Sequence, residues 1–215
     1  MKNILLVDDH VIVRAGIRRL IESIDGFRVL AEAGTADEAY SLVGDLTFDL
    51  VILDMHLKES SGLDLIRRIL QRNPSQWVVV LSMHDHPSYI TQAIRAGAIG
   101  YLTKDAEPHE MIAAIRTAMK GQRALSQKAQ MILAECTLSE SQSDLGSLSA
   151  KEFDIFRMMT QGYTHAQIAS TLHLSSKTIS NYMTSIRQKL NADSDFKLLQ
   201  LAMQEGLCAS TVRMR

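Results

Sequence analysis

The chain has 215 residues, 46% of them hydrophobic and 22% charged, an ordinary globular composition with enough length for two modest domains, each with its own core. A net charge of -1 excludes a globally basic polyanion binder. The balance is uneven, however: from Leu148 onward 8 Lys and Arg face 5 Asp and Glu, leaving 15 against 19 before it, so the C-terminal part is positive and the N-terminal part negative.

In chain order, short apolar runs at 4–7, 27–31, 50–53, 78–81 and 99–102 predict strands. Between and after them, 11–24, 36–46, 62–71, 87–96 and 108–120 carry helical periodicity. Alternation of this kind predicts a doubly wound α/β domain with a five-stranded parallel sheet, spanning residues 1–121. Residues 122–147 are expected to form a linker with one short helix in SQKAQMILAEC, followed by the polar TLSESQSDLGS.

From 148 to 215 the pattern is helical throughout. Ser149 and Glu152 have capping-box spacing, as do Thr164 and Gln167, and Gly162 suits a helix C-terminus. Ser175 or Ser176 can cap a third helix over 177–190, and a fourth covers 194–205. This predicts a small all-α domain with a tight helix-turn-helix at its centre.

The stretch KNILLVDDH sets two like charges, Asp8 and Asp9, at the end of the first strand, and Asp54 ends the third in LVILDMH. Ligands of an open α/β sheet bind outside the carboxyl ends of its strands. If these strands are neighbours, three carboxylates converge, and oxygen-only ligation suits Mg²⁺. Ser82 ends the fourth strand in VVVLSMH and Lys104 follows the fifth in GYLTK. Singly, such a Ser is turn chemistry and such a Lys a solvated charge. Together the set reads as a phosphoryl-transfer site with Asp54 as nucleophile.

Residues 1–120 resemble a two-component receiver domain, with VDDH, LDMHLKESSG, LSMHD and GYLTK in order at that family's spacing. Residues 148–207 resemble the LuxR-type helix-turn-helix in LSAKEFDIF, GYTHAQIASTLHLSSKTISNY and IRQKLN. Together they resemble a NarL/FixJ-type response regulator, with VDDHVIVRAGIRRLIE especially like its GacA/UvrY-like branch. The resemblance implies a phosphorylation-controlled transcription regulator. Asp54 would be the phosphoacceptor, Asp8 and Asp9 the Mg²⁺ pocket with Asp9 the more direct ligand, and the backbone carbonyl of His56 a further ligand. Ser82 and Tyr101 would form the switch pair, and Lys104 would contact the phosphoryl group. A sensor histidine kinase, promoter DNA and a second copy of the chain are the implied partners, with RNA polymerase a candidate further one.

The third helix of the second domain is expected to enter the major groove. Ser180, Asn181 and Thr184 share a face and can reach base edges. Lys177, Thr178, Arg187 and Lys189 could hold phosphates, with no acid on the segment to oppose them. Two departures from the family stand out: Lys58 where many relatives carry Pro, and Tyr182 where many LuxR-type domains carry His.

An aspartyl-phosphate hydrolase would need a second Asp two residues after the nucleophile, where this chain has His56. The protein is therefore not expected to be a turnover enzyme on outside substrates. The competing reading is a phosphorylation-independent regulator with a vestigial pocket. His84, Asp85 and His86 have no further ligand at useful spacing and are not expected to bind metal, while Met158 and Met159 are expected in helix core. Cys136 and Cys208 are far apart without metal-ligand neighbours, and neither a membrane-length apolar run nor a signal-peptide layout is present, which predicts a reduced, cytoplasmic protein.

Overall fold

A computed structural model describes residues 1–57, 60–138, 144–204 and 207. Lys58 and Cys208 lie outside the described residues, and so does the last residue of the expected fourth helix, Glu205. The chain divides into two compact units, Met1–Glu140 and Ser141–Arg215.

The first unit alternates strand and helix: β1 (Lys2–Val7), α1 (Val11–Glu22), β2 (Phe27–Ala33), α2 (Ala36–Asp45) and β3 (Leu50–Asp54). A two-residue ribbon, β4 (His56–Leu57) with β5 (Ser60–Ser61), leads into α3 (Gly62–Arg72). Then come β6 (Val78–Ser82), α4 (Pro87–Arg95), β7 (Gly100–Thr103), α5 (Pro108–Ala118), β8 (Ala124–Leu125) and α6 (Gln127–Leu138). The main sheet has the order β2-β1-β3-β6-β7-β8 and every pairing in it is parallel. β3 and β6 are buried along their whole length, which is why they read as unbroken apolar runs instead of alternating ones. One face carries Ile4, Leu6, Leu50, Ile52, Val79 and Leu81 against Ile17 and Ile21 of α1 and Met111 and Ile115 of α5. The alternate residues Leu5, Val7, Val51 and Leu53 point to the opposite face.

The sheet has six strands where the sequence pattern predicts five. Ala124–Leu125 pairs with Gly100 and Tyr101, and its two residues are too short to show any alternation. The close pairing requires Gly100, because a side chain there would run into the Ala124 carbonyl. The first unit thus continues past Gly121: the short helix expected within the linker forms as α6, but it follows an edge strand and packs on α4, β7 and β8.

The second unit follows a short 3₁₀ turn (Asp144–Ser147) with α7 (Ala150–Thr160), α8 (His165–Thr171), α9 (Ser176–Lys189) and α10 (Asp195–Gln204). Both capping boxes form, Ser149 with Glu152 and Thr164 with Gln167, and Ser175 accepts from the Thr178 amide. Gly162 ends α7 with φ 89°, and His173 makes the α8–α9 turn with φ 52°. Phe153, Phe156, Ile168, Ile179, Met183, Ile186 and Leu198 are buried and supply the core, with Met158 also buried.

Candidate functional sites

The first site is built by strand order. β1 and β3 are neighbours, with Val7 opposite Leu53, and the chain reverses direction of winding between them, so Asp8 and Asp54 meet at the crevice where α/β sheets bind ligands. Both are buried. Lys104, arriving just after β7, places its ammonium 2.7 Å from Asp8 Oδ2 and 2.7 Å from Asp54 Oδ2. Burial alone would lower its pKa, but the hydrogen bonds and charges of Asp54 and Asp8 outweigh this and raise it, so Lys104 stays cationic.

Asp8, Asp9, His10 and Asp54 offer ligand atoms that all lie within 4.8 Å of one another. Carboxylate oxygens dominate the set, the donor chemistry that suits a hard divalent cation. The His10 ring Nδ1 is 2.8 Å from Asp9 Oδ1 and 3.3 Å from Asp8 Oδ1, and the His10 amide donates to Asp8 Oδ1 at 2.7 Å. His56 lies in the ribbon directly beyond this edge, opposite Ser61.

Ser82 is buried at the end of β6, and its hydroxyl oxygen accepts the His84 amide at 3.1 Å. The carbonyl of Ser82 accepts the Lys104 amide at 2.8 Å, so the two strand ends are tied together. Tyr101 is fully buried with its ring inside, and its hydroxyl donates to the His84 carbonyl at 2.6 Å. Burial pushes its phenol well above the ordinary range, with a hydrogen bond to Ser82 acting in the opposite direction. Asp8, Asp9, Asp54, Ser82, Tyr101 and Lys104 thus share one region.

Other residues here carry no signal in local sequence. Arg14 of α1 donates to the Asp8 carbonyl and pairs with Glu32 at 2.8 Å, holding the acidic loop from behind. Lys128 of α6 lies 2.7 Å from Asp85 and 3.1 Å from Asp105, bridging the loop after Ser82 and the loop after Lys104. In the His84-Asp85-His86 stretch each residue has another contact: His84 stacks on Tyr89 at 4.7 Å, Asp85 meets Lys128, and His86 accepts the Ser88 amide at the start of α4.

The second site lies on α9. Lys177, Ser180, Asn181 and Thr184 are exposed, Tyr182 and Thr178 are half-buried, and Ile179, Met183 and Ile186 fill the opposite stripe. The hydroxyls of Ser180 and Thr184 donate to the carbonyls of Ser176 and Ser180, and the Thr178 hydroxyl is 2.8 Å from that of Ser175. No acid lies on the helix itself, but folding brings two to it: Arg187 pairs with Asp195 at 2.7 Å and Lys189 with Glu152 at 2.6 Å. The expectation that Arg187 and Lys189 stand unopposed is corrected by these partners, which come from α10 and α7 and are invisible to a reading of the segment alone.

Residues 4–116 match the response regulator receiver domain, and residues 146–202 match the luxR family of bacterial regulatory proteins. The chain is 37% identical to response regulator UvrY of Escherichia coli K12, over 97% of this chain and 96% of that protein. It is 34% identical to response regulator GacA of Pseudomonas aeruginosa, over 96% and 98% respectively. Among solved structures, RcsB from Salmonella enterica serovar Typhimurium, bound to promoter P1flhDC in the presence of phosphomimetic BeF3-, superposes with a TM-score of 0.76 at 26% identity, covering 94% of this chain and 98% of that one.

Proposed function

Since the chain belongs to the NarL/FixJ family of two-component response regulators, joining a receiver domain to a LuxR-type DNA-binding domain, we propose that phosphorylation of Asp54 controls its binding to promoter DNA. The observation that carries this reading is the buried set in which Lys104 is shared by Asp8 and Asp54 beside Asp9.

The phosphoryl group passes from the imidazole nitrogen of a kinase phosphohistidine to a carboxylate oxygen of Asp54. The P–N bond breaks as the O–P bond forms, and the departing imidazole takes up a proton. The residues fit Mg²⁺: the carboxylates of Asp8, Asp9 and Asp54 and the backbone carbonyl of His56 would hold it. When bound, Mg²⁺ would neutralise the charge that phosphoryl oxygens bring into a pocket already lined with carboxylates. Lys104, already cationic and within reach of Asp54, binds a phosphoryl oxygen there, and the Ser82 hydroxyl turns to donate to it. Because Ser82, His84 and Tyr101 are linked by hydrogen bonds, movement of Ser82 biases the position of the Tyr101 ring. Phosphorylation shifts the balance only by binding one arrangement better than the other. This chemistry modifies the protein itself and does not make it an enzyme turning over outside substrates.

In the second domain α9 lies in the major groove. Ser180, Asn181 and Thr184 read base edges, Tyr182 contacts the DNA from the same helix, and Lys177 and Thr178 hold phosphate at the N-terminal end of the helix, where amides also favour anions. Arg187 shares its guanidinium with Asp195 through one nitrogen, which leaves its other N–H donors for phosphate. The protein acts as a homodimer on two half-sites in the cytoplasm and takes its phosphoryl group from a sensor histidine kinase; RNA polymerase is a further partner of the bound dimer.

Incubation of the full chain with acetyl phosphate and Mg²⁺ tests this reading. Wild type incorporates one acid-stable, base-labile phosphoryl group, and Asp54→Asn incorporates none. Equal labelling of the variant would move the acceptor elsewhere, and absence of labelling in wild type would favour the phosphorylation-independent regulator.

A further inference from the structure

One buried carboxylate joins the first helix of the DNA-binding domain to the helix that faces DNA. Glu152, in the first turn of α7, accepts the Ser149 amide at 2.7 Å and so closes the capping box. The same carboxylate accepts the Ser185 hydroxyl at 2.6 Å and the Lys189 ammonium at 2.6 Å. Its side chain is only 5% exposed. Burial would raise its pKa, but Lys189, Ser185 and Ser149 together hold it at about 2, so it is ionised across the physiological range.

Ser185 and Lys189 lie one turn apart on α9, at the border between the buried stripe of Ile179, Met183 and Ile186 and the exposed face of Ser180, Asn181 and Thr184. The apolar stripe sets which face of α9 is buried, and the polar contacts at its border refine the roll. A carboxylate gripping two points along the border resists both roll and slide. Buried ion pairs add little net stability but can fix one arrangement against its neighbours.

We propose that Glu152 is the positioning residue of the DNA-reading helix, and that Lys189 serves as its anchor and not as a phosphate contact. The inference rests on the reading of α9 as the groove helix. It differs from a purely structural role because it affects discrimination between sequences more than binding itself.

The test uses the full chain with beryllofluoride and Mg²⁺, a duplex enriched by wild type from a random pool, and a scrambled duplex of the same length, titrated at several salt concentrations. Glu152→Gln and Lys189→Met should each lose about tenfold affinity for the enriched duplex, and Lys189→Met should change the scrambled one by less than about twofold. On the scrambled duplex, Glu152→Gln should steepen the salt slope by about one, because Lys189 is released to phosphate, whereas Lys189→Met should leave it unchanged. Lys189→Arg keeps the cation and should retain discrimination, which carries the test should Glu152→Gln not fold. The proposal is overturned if Lys189→Met weakens both duplexes alike and lowers the slope by about one, or if Glu152→Gln discriminates as wild type does. Failure of wild type to enrich any sequence would instead refute the DNA-reading role of α9, and the positioning role with it.

Discussion

At the carboxyl edge of the sheet, Asp8, Asp54 and Lys104 are buried and bonded to one another, whereas on α9 Lys177, Ser180, Asn181 and Thr184 stand exposed on a helix anchored from behind. The first site draws its groups from four strand ends far apart in sequence; the second takes its exposed face from one helix. Chemistry on a phosphoryl group needs charges preorganised in a low-dielectric pocket. Reading a groove needs side chains that reach outward from a rigid frame. Charge is therefore enclosed in one site and displayed in the other.

That contrast can be broken most forcefully at Lys104. Lys104→Ala leaves two buried carboxylates without their cation, and the first domain should lose about 3–5 kcal/mol of stability in metal-free buffer. Divalent cation should restore part of the loss by binding only the folded state, as denaturant titrations with and without Mg²⁺ would reveal. A loss of the same size with or without Mg²⁺ would show that the carboxylates do not use the ion.

On the exposed side, Asn181→Ala should cost roughly 1–3 kcal/mol per half-site on a selected duplex and almost nothing on a scrambled one. Lys177→Ala should weaken both similarly and reduce the salt slope by about one per subunit. If these two patterns were exchanged, the placement of α9 in the groove would be wrong.

A pH series sharpens the comparison further. Glu152 is held at about 2, below its ordinary 4.5. A depressed carboxyl contributes stability that is fully present above the ordinary value and is lost as pH falls toward the folded one. The stability gap between wild type and Glu152→Gln should therefore be constant from pH 7 to about 5 and shrink toward pH 3, as read by chemical denaturation. A gap independent of pH would mean that the charge of Glu152 contributes nothing. The smallest effect is expected at Lys128, whose partners Asp85 and Asp105 are about half exposed: Lys128→Ala should leave the melting temperature essentially unchanged.

The same contrast decides what could be read from sequence. Asp8, Asp54, Ser82 and Lys104 were legible because each closes an apolar run, and a parallel sheet delivers all such ends to one edge. The two capping boxes were legible because their partners are three residues apart. β8 was not, since two residues cannot show a period, and although a short helix was legible where α6 lies, its packing on α4 was not. Likewise, Lys189 and Arg187 look like surface cations along their own helix. Their partners Glu152 and Asp195 stand 37 and 8 residues away in the chain, a separation that only the fold closes.

The central claim, that the enclosed site governs the displayed one, is tested most directly by measuring affinity for an enriched duplex with and without beryllofluoride and Mg²⁺, in wild type and in Asp54→Asn. Wild type should bind more tightly when beryllofluoride is present, and the variant should bind equally in both conditions. A rise of the same size in Asp54→Asn, or no rise in wild type, would contradict control of DNA binding through Asp54.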